Sequence, residues 1–140
     1  MRLGYSVRYF RTSRLLHALN QARQEASYPT LLRSLARTDL LILDDWMRDP
    51  LTSANAQDIL EVLDDRYGQA STIVAAQMPV TEWFSQVPDP TLADAILDRL
   101  VHNAYRITTN QIRISVQKSR SQASSTSTYQ AIPSTANAYS

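Results

Sequence analysis

Two adjacent aspartates, Asp44 and Asp45, are the residues whose type and position could most directly do chemistry. They follow four apolar residues, Leu40-Leu41-Ile42-Leu43. Such a run is typical of a strand buried on both faces, although periodicity alone does not separate it from a buried helical turn. A carboxylate fixed at the end of a buried strand can hold a Mg²⁺ ion bound to nucleotide phosphates. A second carboxylate beside it can orient and polarise an attacking water molecule.

Four apolar residues followed by two acids form the Walker B pattern. Parallel strands also end in Asp for a simpler reason, because Asp caps turns and helices, so that alternative stays open. The phosphate-binding loop that accompanies a Walker B strand is usually Gly-x-x-x-x-Gly-Lys followed by Ser or Thr. The only glycines are Gly4 and Gly68, neither begins that motif, and Lys118 is the only lysine. We therefore expect weak nucleotide binding at most from these 140 residues.

The elements that must position the aspartates alternate between strands and helices. Strand-forming or buried apolar runs predict strands at 6–10, 40–43, 71–76 and 105–108. Helical spacing and capping residues predict helices from Thr12 or Ser13, from near Pro29, from Ser53 to near Gly68, from Pro79, and over 91–104. This alternation predicts an α/β fold with a mainly parallel sheet.

The last thirty residues differ from the rest in composition. Residues 111–140 are rich in Ser and Thr and contain no acidic residue. A segment of this kind buries too little apolar surface to offset its ordering entropy, so we predict a disordered Ser/Thr-rich tail. Ile112, Ile114 and Val116 alternate and could extend a strand for a few residues.

The overall composition excludes several classes of site. With 14 basic and 13 acidic residues, net charge alone indicates no strongly charged partner. The absence of cysteine excludes disulfides and thiolate metal sites, and two histidines, His17 and His102, are too few for a histidine-rich metal site. No apolar run approaches the roughly 20 residues that span a membrane, and the N-terminus lacks the apolar core of a secretory signal. The expected location is the cytoplasm, without membrane contact.

Four segments in order resemble the IstB family: Gly4 to Phe10, Leu40 to Trp46, Ala93 to Leu100, and Tyr105 to Ile107. This family comprises AAA+ ATPases encoded beside insertion-sequence transposases and similar to DnaC-type helicase loaders. The resemblance covers residues 4–109 and does not extend into 111–140. It implies that residues 1–110 are a partial AAA+ domain with a three-layer, parallel P-loop NTPase sheet.

The resemblance also implies what the partial domain lacks. The family's first strand and its Walker A loop lie upstream of the equivalent of Gly4. In the family's strand order, 5-1-4-3-2, that first strand is an interior one. The resemblance therefore implies a remaining 4-3-2 block and a last strand without its neighbour.

The family's functional residues carry over position by position, with ATP and Mg²⁺ as the implied cofactors. Asp44 resembles the Mg²⁺-associated carboxylate, and Asp45 the acid that activates water. Gln77 stands where the family has a polar sensor of the γ-phosphate. Arg99 resembles the arginine that reaches the nucleotide of a neighbouring subunit, and Arg106 resembles a second phosphate-sensing or DNA-facing residue.

The implied partners are DNA, a transposase, and further copies of the chain or a full-length homologue. Against the assigned roles, Arg99 could simply pair with Asp98 or Asp94 on its own helix. An excess of arginine near the N-terminus could face DNA or could be an ordinary solvated surface: Arg8, Arg11, Arg14, Arg23, Arg33 and Arg37. Two alternatives to a truncated ATP-binding helper stay open. One is a non-catalytic module that docks on full-length homologues through the surface around Arg99, and the other is a non-functional remnant.

Overall fold

The computed structural model describes residues 4–102, 104–108 and 113–117. Within these ranges the chain forms five strands: β1 (Val7–Arg11), β2 (Leu40–Asp44), β3 (Ser71–Ala76), β4 (Ala104–Thr108) and β5 (Arg113–Gln117). The α-helices are α1 (Thr12–Gln24), α2 (Tyr28–Arg37), α3 (Ser53–Arg66), α4 (Val80–Trp83) and α5 (Pro90–Val101), and a 3-10 turn follows α4 at Phe84–Gln86. The four predicted strands are confirmed, because β1, β2, β3 and β4 each begin and end within one residue of the predicted bounds.

Side-chain hydrogen bonds cap the amino ends of α3 and α5. The Thr52 side chain accepts a hydrogen bond of 3.1 Å from the Asn55 N–H and so caps α3. Asp89 caps α5 by accepting from the Thr91 N–H at 2.8 Å. The prediction that α5 runs to residue 104 is wrong at its end. The helix stops at Val101, because β4 already begins at Ala104.

The five strands form one sheet in the order β1-β2-β3-β5-β4. Strands β1, β2 and β3 are parallel, with Phe10 opposite Leu43 and Leu43 opposite Val74. This is the three-strand parallel block that the sequence predicts. Strand β5 is antiparallel to both β3 and β4.

The prediction of a last strand without a neighbour is wrong, since β4 pairs with β5 along Ala104–Thr108. Strand β5 therefore takes the interior place between β3 and β4. It also lies inside the segment for which the sequence predicts disorder, where only the short alternation around Ile114 indicated a strand. The rest of that tail, with residues 111, 112 and 118–140, lies outside the described residues.

One face of the sheet carries the core. Leu41, Leu43 and Val74 are fully buried there, in a single apolar cluster to which α1, α2, α3 and α5 all contribute, with Leu15, Leu19, Leu35, Ile59, Leu63, Ile96 and Leu100 among its members. The described helices thus form one layer of the three that the resemblance implies.

None of the helices that the structure describes is long and apolar enough to cross a membrane.

The opposite side of the sheet, here called the open face, is formed by the alternate positions of β1, β2 and β3. Its members are Val7, Tyr9, Arg11, Leu40, Ile42, Asp44, Ser71, Ile73 and Ala75. Val7, Tyr9 and Arg11 are exposed and the others are half-buried. None of these side chains belongs to the core cluster or packs against it. The sheet is therefore covered on one side only in the part of the chain that the structure describes, consistent with an incomplete sheet.

A buried arginine joins the elements at the amino ends of the strands. Arg66 is the last residue of α3 and is 0% exposed. Its guanidinium donates to the Thr72 hydroxyl at 3.0 Å and to the Thr38 carbonyl at 2.6 Å. It also donates to the carbonyls of Leu35 and Ser71. Burial lowers the pKa of Arg66 to about 10. These bonds fix the start of β3 against the end of α2.

Candidate functional site

The predicted site residues of β2 and β3 lie at the carboxyl edge of the parallel strands. Asp44 ends β2, Asp45 follows it, and Gln77 follows β3 directly. Arg11, the last residue of β1, is in register with Asp44. In open α/β sheets this edge is where ligands bind. The fold therefore brings the two aspartates and the glutamine to the same edge.

The Asp44 carboxylate is held at both oxygens. The Tyr9 hydroxyl donates to Oδ2, and the Asp45 N–H donates to Oδ1 at 2.8 Å. The Thr12 hydroxyl donates to the Asp44 carbonyl oxygen at 2.9 Å, which fixes the main chain. The hydrogen bond from Tyr9 and then that from the Asp45 N–H lower the pKa of Asp44 below its ordinary value. The group is therefore ionised near neutral pH and presents hard oxygen donors.

Asp45 lies in a tight turn that redirects the chain at the end of β2. Its φ is 52°, and that of Met47 is 59°. The left-handed region is uncommon for residues other than glycine, and Asp tolerates it better than most. The Trp46 N–H donates to the Ala75 carbonyl at 2.9 Å and ties the turn to β3. The Asp45 carboxylate is 3.7 Å from the Arg11 guanidinium, an ion pair with both partners partly exposed.

A cavity of about 580 Å³ opens between the ends of β2 and β3. It is lined by Asp45, Trp46, Met47, Arg48, Gln77, Met78, Pro79 and Glu82. Trp46 and Trp83 meet edge to face with ring centroids 6.2 Å apart, and the Trp83 indole N–H donates to the Met78 carbonyl at 2.9 Å. The two fully buried tryptophans thus hold the loops after both strands. Asp45 and Gln77 consequently share one opening.

A second cavity of about 300 Å³ lies on the β1 side of Asp45. Its lining includes Arg11, Thr12 and Ser13 from the β1–α1 junction and Asp45 and Arg48 from the turn after β2. Asp45 therefore separates two openings at the same edge of the sheet. Asp45 lines both of them.

Arg99 lies away from this edge. Helix α3 ends just before β3 begins, so its last turn lies at the amino ends of the strands. Arg99 Nε donates to Asp64 at 2.6 Å and Nη1 to Asp98 at 2.8 Å, and the guanidinium stacks 5.1 Å from the Tyr67 ring centroid. The pairing with Asp98 is the simple alternative that the sequence offered, whereas the bond to Asp64 was not foreseen. Arg99 therefore lies too far from Asp44 and Asp45 to act on a nucleotide that is bound by the same chain.

Arg106 is the middle residue of β4, and β5 separates that strand from β3. Its side chain is exposed. Among the residues that the structure describes, neither Arg99 nor Arg106 lines the cavity at Asp45 and Gln77. Besides Arg11, two more of the N-terminal arginines are engaged within the chain. Arg23 pairs with Asp58 and lies 4.2 Å from the Tyr28 ring centroid, and Arg8 donates to Ser34 at 3.0 Å.

The carboxylates fit part of a Mg²⁺ site. The described residues contain no group of three or more His, Cys, Asp or Glu that could hold a metal by itself. Mg²⁺ usually takes one or two protein carboxylates and completes its octahedral shell with water and substrate phosphates. Asp44 and Asp45 match that minimal contribution in donor chemistry. Sequence reasoning missed Tyr9, Arg11 and Thr12 as their partners, because only strand register brings these residues together.

The family model described as IstB-like ATP binding protein matches residues 1–123. The match therefore extends past residue 110, where the sequence-based resemblance was expected to end, and it includes β5. "Putative insertion sequence ATP-binding protein y4pL" of Sinorhizobium fredii is 52% identical over 102 residues, which are 73% of this chain and 42% of that protein.

More distant relatives carry similar names. "Insertion sequence IS1162 putative ATP-binding protein" of Pseudomonas fluorescens is 47% identical over 78 residues, covering 56% of this chain and 34% of that protein. "Putative ATP-binding protein Rv3427c in insertion sequence" of Mycobacterium tuberculosis is 31% identical over 108 residues, covering 76% and 43%. The chain thus matches less than half the length of each of these relatives.

Proposed function

The chain belongs to the family of IstB-like ATP binding proteins, and from that premise we propose that it forms the acidic, metal-facing side of an ATP site in a transposition helper. The observation that carries the proposal is the pair of aspartates at the carboxyl edge of the sheet, of which Asp45 lines a cavity together with Gln77. Relatives are named for ATP binding and for insertion sequences. In such a protein, this chain would supply the metal-facing side of the ATP site.

Each side chain has a role that its surroundings support. Asp44, ionised and held at both oxygens, offers its remaining lone pairs to a Mg²⁺ ion, which when bound would offset negative charge on the phosphates. Asp45 accepts a proton from water or orients it at the mouth of the cavity. Gln77 is exposed beside it and donates its amide N–H to a terminal phosphate oxygen.

The phosphate cradle must come from outside these residues. No run among the 140 matches the phosphate-binding loop, and two carboxylates and one amide offer few groups that attract a polyphosphate. We therefore propose that the chain alone binds Mg-ATP weakly and hydrolyses it little. Hydrolysis above background that is lost in Asp45→Asn would contradict this statement.

Titration of the purified chain with fluorescent ATP and Mg²⁺, alongside circular dichroism, tests the assignment. We expect weak, Mg²⁺-dependent binding that falls by at least about tenfold in Asp44→Asn, because loss of an outer-shell partner of a metal ligand alone typically costs about 10–100-fold in affinity. Asp94→Asn is the matched control, because Asp94 is exposed on α5. Equal binding by both variants would refute the role of Asp44.

We also propose that Arg99 acts on the nucleotide of a neighbouring subunit, as the family resemblance implies. Its position at the far edge from Asp45 supports action in trans. Its ion pairs with Asp64 and Asp98 are partly exposed, and such pairs contribute only about 0–1 kcal/mol, so they do not prevent redirection of the side chain. DNA and a transposase remain the proposed partners of the assembly. The exposed Arg14, Arg33 and Arg37 side chains support contact with a phosphate backbone.

A second candidate function is that of a non-catalytic module that docks on a full-length homologue. The open face favours it, since a largely parallel sheet is normally covered on both sides and Val7, Ile42 and Ile73 here lack core contacts. Co-purification of the tagged chain with such a homologue tests the idea. Ile73→Lys should abolish association while Arg99→Ala preserves it. The reverse pattern would assign docking to the surface around Arg99, which the sequence indicated, and no association by the native chain would remove this candidate.

A further inference from the structure

Tyr9 has an unusual environment for an aromatic residue in a strand. It lies on β1, the edge strand, and is 57% exposed. Its ring therefore buries little apolar area and contributes little to packing. Its hydroxyl, in contrast, has a defined partner, the Oδ2 atom of Asp44. The position of the side chain is therefore explained by the hydrogen bond of its hydroxyl and not by packing of its ring.

Strand register explains why the contact forms. Tyr9 stands opposite Ile42, and Asp44 stands opposite Arg11, two residues further along β1. Tyr9 and Asp44 are therefore diagonal neighbours on the open face, within the reach of a long aromatic side chain. A shorter donor at position 9 would not span this diagonal. The geometry thus selects tyrosine for its length and for its terminal O–H.

From this geometry we infer that Tyr9 is a positioning residue, which orients the Asp44 carboxylate for a divalent cation. The inference deepens the proposed function and rests on it. The carboxylate is clamped from two directions, by the Tyr9 hydroxyl at Oδ2 and the Asp45 N–H at Oδ1. A carboxylate oxygen has two lone pairs, so each oxygen keeps one for a metal. The clamp removes free rotation of the carboxylate without filling its coordination sites.

The neighbouring bonds point to the same purpose. Thr12, 3% exposed, fixes the main chain of Asp44 through its carbonyl oxygen. Side chain and main chain of Asp44 are therefore each held by a residue from β1 or its junction with α1. Hydrogen-bonded partners of this kind raise metal affinity by pre-orienting the ligand, and their removal typically costs about 10–100-fold in affinity.

The test uses Mn²⁺ as a paramagnetic probe of the full chain without nucleotide. Mn²⁺ broadening of the Asp45 and Trp46 amide NMR signals gives an apparent Kd even for weak binding. We expect Tyr9→Phe to raise that Kd about tenfold, and Asp44→Asn to abolish site-specific broadening. Tyr5→Phe is the matched control, because Tyr5 is also exposed and precedes the same strand.

The outcomes separate this inference from the proposed function. Native Mn²⁺ affinity in Tyr9→Phe, with loss in Asp44→Asn, overturns the role of Tyr9 and leaves the proposed function standing. Broadening that Asp44→Asn leaves unchanged overturns both. No broadening in the native chain overturns the inference, whereas the proposed function is tested by the ATP titration.

A measurement on the native sequence guards against a variant that fails to fold. In protein labelled with 3-fluorotyrosine, Mg²⁺ should shift the ¹⁹F signal of Tyr9 and leave that of Tyr5 in place. A structural role for the ring alone would produce no such response, and an unmoved Tyr9 signal contradicts the inference.

Discussion

At the scale of single residues, the site depends on a main-chain conformation that few side chains accept. Asp45 has a φ of 52° and stands between two cavities. Residues held in this region cost about 1–3 kcal/mol when they are ill-suited to it, and such strain clusters at functional sites. The sequence predicted the carboxylate at this place, but a positive φ at a non-glycine residue has no signature that would reveal it.

Substitutions at Asp45 should therefore separate charge from conformation. Asp45→Asn removes the charge but keeps a side chain that tolerates positive φ, so we expect a stability change within about 1 kcal/mol, the value of an exposed ion pair. Asp45→Val adds a β-branched side chain and should destabilise the fold by about 1–3 kcal/mol more. Urea unfolding of the two variants provides the comparison. Equal stabilities would show that the turn relaxes freely.

Tyr28 provides a pH-dependent prediction. Burial is the main cause that raises its pKa to about 12, and its hydroxyl donates to Glu61 and Asp58. The folded pKa lies above the unfolded value near 10, so the stabilising contribution is complete below pH 10 and is lost as pH rises towards 12. The stability of the native chain should fall more than that of Tyr28→Phe across this interval. Parallel curves from thermal unfolding at several pH values would contradict the assignment.

At the scale of elements, the sequence predicted strands and helices well where their signals are local. The start of α3 at Ser53 and the apolar run Leu40 to Leu43 are examples. It missed what depends on pairing between distant segments. The Tyr9–Asp44 contact needs the register of β1 on β2, and β5 needs β3 and β4 as partners. Neither the register of β1 on β2 nor the pairing partners of β5 can be predicted from the sequence of the segment itself.

Arg66 is the element-scale feature with the clearest energetic consequence. Arg66→Met would leave the carbonyls of Leu35, Thr38 and Ser71 without the guanidinium donor. A buried unsatisfied group costs about 1–3 kcal/mol, so we expect a loss of about 3 kcal/mol after partial relaxation. Arg37→Met, at an exposed position in the last turn of α2, is the control. Chemical denaturation that shows a loss under 1 kcal/mol for Arg66→Met would contradict the assigned role.

At the scale of the whole molecule, the sheet is continuous although it contains both parallel and antiparallel strands. Strands β1, β2 and β3 are parallel, with Asp44 at the end of β2, and the antiparallel pair β5 and β4 completes the sheet. On the open face of the parallel strands, Ile42 and Ile73 are half-exposed. The sequence predicted an incomplete sheet through its family resemblance, but not that a strand from the tail would stand beside β3.

The interior place of β5 can be tested through its main chain. Ser115 is opposite both Val74 and Arg106. Proline cannot donate to a strand ladder and is poorly tolerated in a central strand. Ser115→Pro should therefore lower the thermal midpoint strongly, by at least the several degrees that about 1 kcal/mol produces in a domain of this size. Ser125→Pro, within the segment predicted to be disordered, should change it little. An unaltered midpoint in Ser115→Pro would contradict the place of β5 in the sheet.

The central claim is that this chain can supply the metal-facing side of an ATP site when a phosphate cradle is present. The most direct measurement replaces the matched 102 residues of the Sinorhizobium fredii relative with the aligned residues of this chain. ATP affinity of the chimera is then measured with and without Mg²⁺. We predict Mg²⁺-dependent binding that weakens about tenfold in Asp44→Asn and is unchanged in Asp94→Asn. A folded chimera that binds ATP equally well with Asn at position 44 would contradict the account.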